Sequence, residues 1–239
     1  MKSRSRMAEP DMHPSPPAPR IVHADELPWV QSPTPGVWRK RLEHSGPSES
    51  GRVTSLVRYD AGSVFPLHPH PEGEEILVLE GVFSDEHGHY PAGTFLLHAE
   101  GFSHAPFSSG GCLLFVKLRQ APGARTPLRV DTRAAGWRAT GIEGVERLEL
   151  YADPDFPEAR FDGSPGARTH LTRVAPGARV GPLAFPQGEE ILVLEGEFDD
   201  EYASYRRHSW LRFAPGGAHT FRTDRGCTLY VQRRLAAPH

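Results

Sequence analysis

Only two cysteines occur in the 239 residues, Cys112 and Cys227. They stand too far apart for a Cys-x2-Cys metal or redox pair, and two thiols cannot build a disulfide framework. A reducing compartment is the expectation. The chain has no apolar run of the ~18 residues a membrane helix needs, and its N-terminus lacks the apolar core of a secretion signal. The reading therefore predicts no membrane partner and a cytoplasmic location. Charge of one sign is lacking as well: 27 Lys and Arg stand against 30 Asp and Glu, for a net charge of −3. Without a concentrated basic surface, nucleic acid is excluded as the main partner. Segments with the 3.6-residue apolar period of a helix are also missing.

In their place stands turn chemistry. Gly and Pro contribute 24 residues each, and short apolar runs lie between them. Thr54–Tyr59 precedes the turn Asp60-Ala61-Gly62, Glu75–Leu79 precedes Glu80-Gly81, and Phe83 leads into the polar stretch Ser84–His89. Thr94–Leu97 precedes Ala99-Glu100-Gly101, and Cys112–Leu118 closes the series. Strand candidates spaced about 8–12 residues apart with glycine between them predict an all-β sandwich or barrel.

The series occurs twice. Residues 62–119 align without a gap on 177–234 at a constant offset of 115, with 24 of 58 positions identical. Upstream, Trp29 and Gly36-Val37 match Trp137 and Gly144-Val145 at an offset of 108. The second copy thus carries about seven extra residues, assigned to a loop at Asp153–Gly166. The expected organisation is a disordered, proline-rich tail over residues 1–25, a first domain over 26–128 and a second over 129–239, joined near Ala121–Arg133. The strand Glu75–Leu79 and its repeat Glu190–Leu194 are apolar on both faces. One face belongs inside a barrel; the other must be covered, and pairing of the two copies is the economical cover. A homo-oligomer is the other way to cover it.

The chemistry concentrates in the first copy. His68 and His70 are two apart in an extended segment, so both imidazoles project to one side. Glu74 follows the turn Pro71-Glu72-Gly73 and shares its strand face with Ile76 and Val78; His104 follows Gly101 at the start of another hairpin. Three nitrogens and one carboxylate oxygen suit a single divalent cation such as zinc, iron, manganese or nickel. His98 reads as a packing residue near this cluster, with support of a ligand from behind as the alternative, and His87 and His89 read as solvated. Glu75, on the opposite strand face from Glu74, reads as surface or interface. Cys112 and Cys227, at equivalent positions, read as small buried hydrophobes.

These residues carry a resemblance. Gly62-x5-His68-x-His70-x3-Glu74-x6-Gly81 fits the first cupin motif at every spacing. Gly93-x5-Ala99-x-Gly101-x2-His104 fits the second, except that Ala99 replaces the usual proline. The stretches HPHPEGEEILVLEGVFSDEHGHYPAGTFL and GFSHAPFSSGGCLLFVKLRQ resemble the ChrR-like cupin family. The resemblance covers about Trp29 to Gln120 well and extends through the repeat to Leu235. It implies two tandem cupin barrels (double-stranded β-helices, or jelly rolls), and a metal held by His68, His70, Glu74 and His104.

In the second copy, Leu183 and Phe185 stand where His68 and His70 stand, whereas Glu189 and His219 are retained. The reading predicts no metal there, a space filled by the two apolar groups, and Glu189 hydrogen-bonded to His219; the second copy's role is then to cover the first barrel's face or to supply a small apolar pocket. What the resemblance implies about function is a metal-binding protein that binds a small molecule or senses oxidative stress. Its sigma-binding relatives carry a helical zinc domain with a His-x3-Cys-x2-Cys arrangement. The first 28 residues hold no cysteine, so direct sigma-factor binding is not expected. A metal-dependent dioxygenase and a structural barrel braced by its metal are the alternatives. Catalytic residues are not assigned.

Overall fold

A computed structural model describes residues 18–47, 50–120, 125–152 and 167–233. The loop assigned to Asp153–Gly166, and residues 1–17 of the expected tail, lie outside the described residues. The regular structure of the described residues is strand joined by turns, apart from a single 3-10 turn at Ala24–Glu26. Among the described residues no helix is long and apolar enough to cross a membrane.

Two large antiparallel sheets repeat one order. The first runs Leu128–Asp131, Thr94–His98, Glu74–Asp85, Cys112–Leu118, Arg52–Tyr59, Val37–Ser45 and Val30–Gln31. The second runs Arg20–His23, Ser209–Phe213, Glu189–Asp199, Cys227–Arg233, Ala167–Val174, Val145–Ala152 and Arg138–Ala139. Each copy's first strand has therefore crossed to the other copy's sheet. Arg20 pairs with Arg212 and His23 with Ser209, while Leu128 pairs with Leu97 and Asp131 with Thr94. The exchange covers an edge that would otherwise present unpaired N–H and C=O groups. It also corrects the expected tail: residues 20–25 are ordered structure, because Arg20–His23 finds its hydrogen-bonding partner far away in sequence.

Alternation along the strands sorts the apolar side chains into three clusters. Ile76, Val78, Leu114 and Val116 point into the first barrel, and Ile191, Val193, Leu229 and Val231 into the second. The intervening positions form a third cluster between the barrels, where Leu77, Phe95 and Phe115 meet Leu192, Trp210 and Tyr230. The doubly apolar strands are thus covered by the sister copy. Polar groups are paired across the same face: Lys117 donates to Glu190 at 2.5 Å, and Tyr230 and Gln232 donate to Glu75 at 3.1 and 2.9 Å. Glu75 is a buried interface residue, 3 % exposed.

Candidate metal centre in the first barrel

The segment His68–His70 forms a two-stranded ribbon with Phe102–His104, in which His68 lies opposite His104. Turns at Gly73 and Gly101, both with positive φ, bring this ribbon against the start of the strand Glu74–Asp85. Glycine adopts that conformation without a Cβ clash.

Three of the expected ligands converge closely. His70 Nε2 lies 3.1 Å from His104 Nε2 and 3.4 Å from Glu74 Oε2, and His104 Nε2 lies 3.7 Å from Glu74 Oε2. A cation bonded at ~2.0–2.2 Å sets neighbouring donor atoms about 3–3.5 Å apart, so this spacing suits one shared ion. His68 joins from one side: its ligand atom and those of His70 and His104 all lie within 4.8 Å of one another. Glu74, His98 and His104 form a second such set, with His104 common to both.

The proton positions also favour a cation. His68 Nδ1 donates to the Pro66 carbonyl at 2.8 Å, and His104 Nδ1 donates to Asp85 Oδ2 at 3.2 Å. Both acceptors can only accept, so in the neutral rings each Nε2 keeps a lone pair. Burial lowers the pKa of His70 to about 4, outweighing the attraction of Glu74, and leaves it neutral near pH 7. Burial alone would raise the pKa of Glu74; the surrounding His70, His98 and His104 outweigh it and hold the carboxyl at about 2. The result is a buried carboxylate beside three imidazoles, a donor set that can hold a divalent ion.

Two further residues contribute: His98, for which the sequence favoured packing over support of a ligand, and Asp85, which was not recognised. His98 pairs across from Glu74 in the sheet. Its Nδ1 lies 3.0 Å from Glu74 Oε2, and its ring stacks on Phe102 at 4.1 Å. The packing role assigned to His98 is real, but it also fixes the carboxylate. Asp85 orients His104 while accepting a hydrogen bond from Tyr90 at 2.9 Å. The signal for both existed: Asp85 and Tyr90 recur as Asp200 and Tyr205, and His98 lies one turn before the second motif's glycine.

Beside the cluster lies a cavity of about 170 Å³, whose wall includes Arg39, Arg41, Tyr59 and Phe65. Burial lowers the pKa of Arg39.

The second barrel departs from expectation twice. Leu183 does lie opposite His219, as the repeat alignment requires. Yet Glu189 and His219 do not bond to each other. Arg233, which stands where the first copy has Leu118, donates to Glu189 at 2.7 Å, and His219 Nδ1 donates to Asp200 at 3.0 Å. Nor is the space filled: the second cavity measures about 540 Å³. The first barrel's Tyr59 and Phe65 are replaced here by Val174 and Val180, so two rings are lost from the wall where two imidazoles were exchanged for carbon.

The model for the family described as the ChrR cupin-like domain matches residues 17–122 and again 125–236. No curated protein matches the chain. Solved structures share the fold at low identity. A candidate dioxygenase from Nostoc punctiforme is 14% identical at a TM-score of 0.72, over 92% of this chain and 87% of that one. A bacterial pirin from Escherichia coli, in complex with nickel(II), is 18% identical at a TM-score of 0.64, over 92% and 100%. A single-substitution variant of oxalate decarboxylase from Bacillus subtilis is 11% identical at a TM-score of 0.60, over 90% and 78%.

Proposed function

Starting from a chain that belongs to the ChrR cupin-like family, we propose that it is a metal-binding bicupin whose first barrel holds one divalent cation through His68, His70, Glu74 and His104 and presents it to a small molecule. The observation that carries this reading is the approach of His70 Nε2, His104 Nε2 and the carboxylate of Glu74 to within 3.1–3.7 Å of one another inside the barrel, the spacing of donor atoms around one shared ion.

Zinc is the ion proposed; iron, manganese and nickel fit the same donors. When bound, the ion supplies a Lewis-acid centre that polarises an oxygen of the small molecule. The protein's own residues do the rest. His98 and Asp85 lock the orientation of Glu74 and His104. The cavity wall brings Arg39 and Arg41 toward the site, which favours a small anionic ligand over a neutral one. A cavity of this size beside the cluster supports a responsive or catalytic role over a purely bracing one. The dioxygenase reading draws support from the same cavity and from the fold of the Nostoc punctiforme protein.

Metal content of the full chain, purified without added metal, tests the site. About one equivalent is expected in the native chain and in Glu189→Ala, with most of it lost in His68→Ala and His104→Ala. Equal content in all four proteins would remove the assignment.

A further inference from the structure

The second barrel is a site in its own right. Its cavity of about 540 Å³ is roughly three times the first barrel's, about 170 Å³, and falls within the ~300–1,000 Å³ range of small-molecule pockets. Val180, Leu183, Ile191, Phe221, Leu229 and Val231 line it. Among the charges in the wall, Arg233 is paired with Glu189 at 2.7 Å, Arg147 is accompanied by Glu149 two residues along the same strand, and Arg138 is exposed to solvent.

His219 lines the cavity and is 2 % exposed, and its Nε2 has no hydrogen-bond partner among the described residues. Its other nitrogen is committed. Nδ1 donates to Asp200 Oδ2, while Asp200 Oδ1 accepts from Tyr205 Oη and from the backbone N–H groups of Tyr202 and Ala203. An Asp held by that many donors can only accept, so the neutral imidazole of His219 keeps its lone pair on Nε2. Phe185, Phe198, Phe213 and Phe221 surround the ring with centroids 4.7–6.3 Å away. They supply no donor. In the first barrel the equivalent His104 turns Nδ1 to Asp85 in the same way and directs Nε2 at the interior cluster.

A buried acceptor at the wall of a roomy apolar cavity calls for a donor from outside the protein. We infer that the second barrel binds an uncharged, largely apolar small molecule that donates one O–H or N–H group to His219 Nε2. This site is independent of the metal centre, and neither requires the other.

The test uses the full chain and two probes of equal size: 1-naphthol, which carries a donor, and 1-methylnaphthalene, which does not. Fluorescence titration should show saturable binding of 1-naphthol, at least about tenfold tighter than 1-methylnaphthalene, since a site built around a hydrogen bond rejects the analogue lacking it. His219→Phe, which keeps an aromatic ring in the cage, should bring the two affinities together. Should that variant not fold, the Nε2 resonance of His219 in the native chain decides the matter. It should move on adding 1-naphthol and stay in place with 1-methylnaphthalene. Absence of saturable 1-naphthol binding, equal affinity for both probes in the native chain, or undiminished discrimination in His219→Phe would each overturn the inference.

Discussion

At the scale of single residues, what separates the two barrels is which partner claims the shared glutamate and histidine. Glu74 and Glu189 occupy equivalent positions, but Leu118 leaves Glu74 to the histidines, whereas Arg233 at the matching place draws Glu189 away. Two imidazoles and one leucine therefore distinguish the proposed cation site from its counterpart in the second barrel. The cysteines tell a simpler story. Burial pushes Cys112 up to about 11 and Cys227 up to about 12, so near neutral pH neither is a thiolate nucleophile. Both should resist iodoacetamide in the native chain and react fully after unfolding, as mass spectrometry would show. Rapid native labelling of either would contradict the packing role. The four proposed ligands were legible in the sequence because their spacing is fixed by strand alternation and two turns. The contribution of Asp85 was not, and that of His98 was only the lesser of two readings, since both depend on register between strands distant in sequence.

At the scale of strands, the face shared by the barrels is held by apolar packing and two buried glutamates. Lys117 and Glu190 are 1 % and 0 % exposed, and Trp210 Nε1 donates to the second oxygen of Glu190 at 2.9 Å. Removing one member of such a pair leaves an uncompensated charge in a dry environment, at a cost of about 3–5 kcal/mol. Lys117→Met should therefore lower unfolding stability by about that amount. The double variant Lys117→Met with Glu190→Leu should recover part of the loss, because no lone charge then remains. Denaturant unfolding measures both; a double variant less stable than the sum of the singles would contradict this account. The double apolarity of Glu75–Leu79 and Glu190–Leu194 already demanded a cover in the sequence. Which residues would be polar partners within it was hidden, because Glu75 looks like any surface carboxylate until Gln232 is placed over it.

The whole molecule is two copies of one barrel, each completed by a strand from the other. The repeat made the two barrels legible, since glycines and prolines mark the strand ends at matching positions in both copies. The exchange of Arg20–His23 and Leu128–Asp131 was not legible: four-residue strands beside proline-rich or turn-rich sequence carry little pattern of their own. Nor was the size of the second cavity, which follows from the smaller Val174 and Val180 as much as from Leu183 and Phe185. Deleting residues 1–23 should strip the edge of Ser209–Phe213 and lower the melting temperature of the chain, with increased aggregation on heating. An unchanged melting curve would show that the exchanged strand contributes nothing to stability.

The asymmetry between the barrels is tested most directly by calorimetric titration of metal-stripped chain with zinc. One site per chain is expected, abolished by His104→Ala and untouched by His219→Phe. Two equivalent sites per chain, or a single site that survives His104→Ala, would contradict it.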